Sequence, residues 1–141
     1  MAELSIESNG LLETTAIYYN GTQLRGVREI LLNLDENGTF DAIMQYKGTD
    51  GELYTRNILQ DYPDLIVTTE PSFTEEEARS LRLLTLDSDG TLEGTVVALD
   101  GVRQEGIVSL YVQISGPPDI KLLGEITYRE ADGQLTKEGI W

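Results

Sequence analysis

The chain alternates apolar and polar residues over much of its length. In "TFDAIMQYK", residues 39–47, Phe40, Ala42, Met44 and Tyr46 share one face, and Thr39, Asp41, Gln45 and Lys47 share the other; only Ile43 breaks the pattern. In "TLEGTVVAL", residues 91–99, Leu92, Gly94, Val96 and Ala98 fall on one face. Val108, Leu110, Val112 and Ile114 do the same in 107–115, and Ile120, Leu122, Gly124, Ile126 and Tyr128 oppose Lys121, Glu125, Thr127 and Arg129 in 120–129. A repeat of two, sustained over eight or more residues, is the signature of an antiparallel strand with one wet face.

Turn chemistry separates these runs. Asn20-Gly21, "DENG" (35–38), "GTDG" (48–51), "DSDG" (87–90), Asp100-Gly101, "GPPD" (116–119) and "EADG" (130–133) punctuate most of the chain. An Asn-Gly link between two strand-like runs is a strong hairpin signal, because both residues accept the positive φ of a type I′ turn. Regular turns between short strands point to an all-β domain of about nine or ten strands. The expectation is one domain over 1–141, built as an up-and-down antiparallel barrel, with a two-sheet β-sandwich as the alternative.

One stretch departs from this rhythm. "PSFTEEEARSL", residues 71–81, pairs Ser72 with Glu75 as a capping box and places acids where a helix dipole favours them. It predicts one short helix over about 74–80. Residues 31–44, "LLNLDENGTFDAIM", also resemble residues 83–96, "LLTLDSDGTLEGTV". Duplication of half a barrel would produce this likeness, and so would two hairpins sharing one turn type.

The "DSDG" loop has the look of a calcium site. An EF-hand loop needs a bidentate acid at position 12 when its glycine holds position 6. Gly90 at position 6 puts Val96 at position 12, and Gly38 puts Met44 there. Neither can ligate. A type I turn opening on Asp and closing on a left-handed Gly accounts for the same residues, so no metal is expected.

The expected meander resembles the calycin-type barrels, the lipocalins and fatty-acid-binding proteins, in architecture alone. The G-x-W that opens a lipocalin is absent, and the single Trp is Trp141. Small residues interrupt the apolar rows at Ala42, Gly94, Ala98 and Gly124, where they could make room for a ligand or let the sheet curve. The candidate ligand-binding interior is therefore Phe40, Ala42, Met44, Tyr46, Leu92, Gly94, Val96, Ala98, Gly124 and Tyr128.

Composition narrows the chemistry. The chain has neither Cys nor His, so thiolate nucleophiles, His-based triads and Cys/His zinc sites are excluded. No phosphate-binding loop or dinucleotide fingerprint occurs, no cofactor is expected, and no catalytic residues stand out. The net charge of −15 disfavours nucleic acid and suits a basic protein partner. No apolar run is long enough to insert in a membrane and the first residues carry no secretion signal, so a cytoplasmic location is expected. Three functions follow from the residues. A binding barrel would hold a small apolar or amphipathic ligand. An acidic interaction or assembly factor would meet a basic partner. An isomerase or cyclase would rely on Asp, Glu or Tyr. Nothing in the sequence sets the oligomeric state.

Overall fold

A computed structural model describes residues 2–10, 15–25, 27–57, 66–67, 76, 81–88, 93–116 and 120–141. The strands follow the punctuation. β1 (Ala2–Ser8), β2 (Thr15–Tyr19) and β3 (Thr22–Arg25) lead to β4 (Val27–Asp35), β5 (Phe40–Lys47) and β6 (Leu53–Asn57). A two-residue strand, β7 (Ile66–Val67), follows. Then come β8 (Arg82–Ser88), β9 (Thr95–Leu99), β10 (Val102–Arg103), β11 (Ile107–Ser115), β12 (Lys121–Arg129) and β13 (Leu135–Gly139). Of the helix expected over 74–80, Glu76 is helical and exposed, and the remainder lies outside the described residues.

All pairing is antiparallel, in two sheets. One runs β10-β9-β8-β1-β2-β3-β7 and the other β13-β12-β11-β4-β5-β6. Neither order returns on itself, so the sheets do not close into a barrel. Alternation could not decide this point. A strand with one apolar face looks the same in a barrel and in a sandwich, and closure depends on which edges meet. Here the chain changes sheets three times, between β3 and β4, between β6 and β7 and between β10 and β11, and among the described residues both sheets keep open edges. Buried residues from both sheets, among them Leu4, Ile6, Leu84 and Leu86 from one and Leu32, Met44, Val112 and Ile126 from the other, form one core cluster. This fits the sandwich alternative.

The sheet orders contain a repeat. Reading outward from the central β8/β1 and β11/β4 pairs, the strands β1 to β6 correspond one by one to β8 to β13. Local detail recurs with them. Ser8 Oγ lies 2.8 Å from Thr15 Oγ1, and Ser88 Oγ lies 2.7 Å from Thr95 Oγ1. The Glu3 and Leu83 amides donate to Asn20 Oδ1 and Asp100 Oδ1, each at 2.9 Å. Asn20-Gly21 and Asp100-Gly101 both take positive φ, at 50° and 81° and at 51° and 82°. Asp50 and Asp132 accept from the amides of Glu52 and Gln134, each at 3.0 Å. Both long strands shift register near their start, between Val27 and Glu29 and between Ile107 and Ser109. The molecule is thus two copies of a six-strand unit, each giving three strands to each sheet. The likeness of 31–44 to 83–96 is not this repeat. It compares β4–β5 in one sheet with β8–β9 in the other, and reflects shared hairpin chemistry.

Two register expectations need correction. In β9 the buried residues are Val97 and Leu99, at 7% and 6% exposure, whereas Val96 and Ala98 are half-buried on the opposite face. "TVVAL" is apolar on both faces, so its own pattern carries no parity. Pairing settles it: Leu86 faces Val97 and Leu84 faces Leu99 across the ladder, and both leucines point into the core. Val108, expected with the buried row, is half-buried where β11 shifts register, while Leu110, Val112 and Ile114 are buried. Ile120 lies outside β12 and is exposed.

Candidate functional site

The ten residues expected to line an interior do not gather around one. Ala42, Met44 and Tyr46 are packed into the shared core from β5, with Phe40 half-buried at its margin. Val96 and Ala98 lie on the other sheet and turn away from that core. Gly94 sits in the turn before β9, and Leu92 is outside the described residues. Gly124 is buried, but its room is taken. A Cβ there would stand 2.6 Å from Cε3 and Cζ3 of Trp141. The C-terminus is held in that position by three hydrogen bonds. Trp141 Nε1 donates to the Arg82 carbonyl at 3.1 Å, Arg82 Nη1 donates to the Ile140 carbonyl at 3.2 Å, and the Ile140 amide donates to the Gly124 carbonyl at 2.8 Å. The small residue accommodates the chain's own indole.

A cleft of about 330 Å³ opens elsewhere, where β10 leaves one sheet for β11 in the other. Leu34, Val97 and Leu110 line its depth, and all three are buried. Thr95, Ile107 and Ser109 form half-buried walls, and Arg103 and Glu105 are exposed at its mouth. Gly106 makes the bend with φ of 74°, and its amide region abuts the Arg129 carbonyl closely enough that a Cβ would lie 3.3 Å from that oxygen. Gln104 is the polar centre of the wall. Its amide donates to the Val97 carbonyl at 2.8 Å, its Nε2 donates to the Val102 carbonyl at 2.9 Å, and its Oε1 accepts from the Tyr128 hydroxyl at 3.0 Å. Burial, followed by the charge of Glu138, raises the Tyr128 pKa above the ordinary tyrosine value, against a smaller opposite pull from Arg82. Tyr128 therefore stays a neutral phenol near pH 7 and holds Gln104 rather than serving as a base.

At the equivalent corner of β3 and β4 the corresponding residues are more deeply buried. Leu24 takes the place of Gln104 and is buried, and Tyr46 takes the place of Tyr128 at 1% exposure. The Tyr46 ring stacks on Tyr54, with centroids 5.7 Å apart. β7 also pairs along the outside of β3, matching Leu24 with Val67 and Arg25 with Ile66.

A second hollow, of about 400 Å³, lies along β4, β5 and β11, and its rim is polar, with Arg28, Glu29, Gln45, Thr55, Gln113 and Lys121. Ile30, Leu31, Ile43 and Ile114 also line it.

Among the described residues no group of three or more acids is placed to hold a metal ion. The Asp35 carboxylate closes its own turn instead, accepting from the Asn37 and Thr39 amides at 2.9 and 3.1 Å. Those bonds, the Thr39 amide foremost, hold its pKa below the ordinary carboxylate value. Residues 89–92 of the other candidate loop lie outside the described set. No described helix is long and apolar enough to cross a membrane.

Of the ten expected residues Val96 alone lines the β10–β11 cleft; the residues missed by sequence reasoning are Leu34, Val97, Ile107 and Leu110 in its walls and Arg103, Gln104 and Glu105 at its mouth. The only signal for the mouth residues is a comparison of "VRQEG" (102–106) with "TQLRG" (22–26), which replaces a buried leucine by glutamine. No protein-family model, no curated protein and no solved structure matches the chain.

Proposed function

We propose that the protein binds a small amphipathic molecule in the cleft between β9, β10 and β11, and that it does so without chemistry. The carrying observation is the cleft's asymmetric lining. Buried Leu34, Val97 and Leu110 lie at its depth, with Arg103, Gln104 and Glu105 at its mouth. A site that takes a ligand's apolar body from water and orients its polar end needs that combination. The volume, about 330 Å³, lies at the lower end of the usual range for small-molecule pockets and suits a compact ligand. Arg103 favours a negative headgroup.

Anilinonaphthalene sulfonate, a compact apolar body with one anionic group, is a suitable probe. The expected result is saturable one-site fluorescence enhancement, with a Kd of about 10 µM, or roughly 7 kcal/mol. Ile107→Trp adds bulk to the half-buried cleft wall and should abolish the enhancement. Val27→Trp makes the same change at the β3–β4 corner and should leave it intact. Loss in both variants, or in neither, would count against the cleft as the site.

A further inference from the structure

We propose that the outer edge of β10 is a strand-docking site for a short extended peptide, aliphatic at its centre and basic at its flanks. In an antiparallel pair, successive residues direct their N–H and C=O groups to opposite sides of the strand. The Gln104 amide donates to the Val97 carbonyl in β9 at 2.8 Å, which fixes the directions. Arg103 and Glu105 therefore turn their amide groups away from β9, toward the open side. Among the described residues β10 ends its sheet, and its Val102 is 63% exposed.

The molecule carries a template for what such an edge accepts. At the corresponding edge of β3, Leu24 and Arg25 pair antiparallel with Val67 and Ile66. The repeat places Gln104 and Glu105 where Leu24 and Arg25 stand. Main-chain pairing gives strand addition its affinity, and the sequence of the strand that pairs there, Ile66-Val67, supplies the aliphatic centre. Charge selects among occupants. A net charge of −15 repels a second copy of this chain and attracts a basic peptide. The inference goes beyond the cleft reading and does not depend on it, because it uses the main chain on the side of β10 that faces away from β9.

The probe is a capped hexapeptide with the sequence of residues 64–69, altered by Asp64→Lys and Thr69→Lys. Titration into ¹⁵N-labelled protein should shift the Arg103 and Glu105 amides and slow their exchange with solvent. Arg103→Pro removes an outward N–H without touching the β9 ladder, and should weaken binding at least tenfold. Arg103→Gln installs the residue found at the equivalent position 23, and should stay within twofold. A peptide N-methylated at alternate residues cannot pair, and should not bind even to the unaltered protein. Shifts confined to residues 22–25, unchanged affinity in Arg103→Pro, binding of the N-methylated peptide, or no binding at all would each overturn the proposal.

Discussion

The two corresponding crossings, β3–β4 and β10–β11, join equivalent strands in the same register, yet their paired residues are buried to different depths. At β3–β4, Leu24 and Tyr46 are buried, the Tyr46 ring stacks on Tyr54, and β7 extends the sheet. At β10–β11, Gln104 and Tyr128 are half-buried and joined by a 3.0 Å hydrogen bond, and a cleft remains. A leucine that needs only to leave water can be covered by neighbours. A glutamine there must keep its partners, and here it takes them from Tyr128 and its own strand. The repeat supplies the scaffold twice, and the substitutions within it decide which corner can receive anything from outside.

The largest contrast concerns the paired tyrosines. Tyr46→Ala should cost about 3–5 kcal/mol in denaturant unfolding, as expected for deleting a buried aromatic ring. Tyr128→Ala removes a half-exposed ring and a single hydrogen bond, and should cost about 1–2 kcal/mol. Equal losses would mean that the two corners bear the core alike. Next is Gly124→Ala. A Cβ there would meet the Trp141 ring at 2.6 Å and Ile140 Cβ at 3.2 Å, so the substitution should cost about 1–3 kcal/mol. In a Trp141→Ala background the same change should cost far less, because the obstructing ring is gone. The double-mutant cycle isolates that coupling.

Gln104→Leu should have a smaller effect on stability, about 1 kcal/mol, since it trades two side-chain hydrogen bonds for apolar contact. Its functional effect should be larger. It gives the β10–β11 corner the residue of the β3–β4 corner and should weaken probe binding several-fold, readable by fluorescence. The smallest effect concerns acid. Asp35 and Asp50 are held below the ordinary carboxylate value of 3.8, chiefly by the Thr39 amide and by the Tyr54 hydroxyl. Carboxylates with lowered folded-state pKa stabilise the fold above their unfolded value and lose that contribution as pH falls through the folded one. Stability should thus decline below pH 3.8, and Asp35→Asn should flatten that acid limb in a pH-resolved melting series. An unchanged limb would show that the turn bonds do not distinguish folded from unfolded chain.

Much of the fold was legible because turns and alternation are local. Asn20-Gly21, Gly38, Gly51, Asp100-Gly101 and Gly133 all take the positive φ their turn chemistry demands. β5 buries Ala42, Met44 and Tyr46 as its alternation predicts. Parity failed at β9, where "TVVAL" is apolar on both faces and only the partner strand sets the register. Closure failed because it depends on edges brought together across the whole chain. The repeat was obscured because its conserved features are turn residues, which resemble those of any hairpin, while its strand positions diverge from Leu24 to Gln104 and from Ala42 to Gly124. The cleft had no local signal. It lies where β10 ends its sheet among the described residues, whereas β7 pairs along β3 at the other corner, and such pairing joins segments far apart in the chain.

The most direct test is an amide chemical-shift map of the protein titrated with anilinonaphthalene sulfonate. The two corners serve as each other's control in one sample. Saturable shifts at residues 95–97 and 103–110, with residues 15–17 and 23–30 unmoved, are the expected result. Shifts spread over both corners, or centred on the β3–β4 corner, would contradict the assignment of binding to the β10–β11 corner.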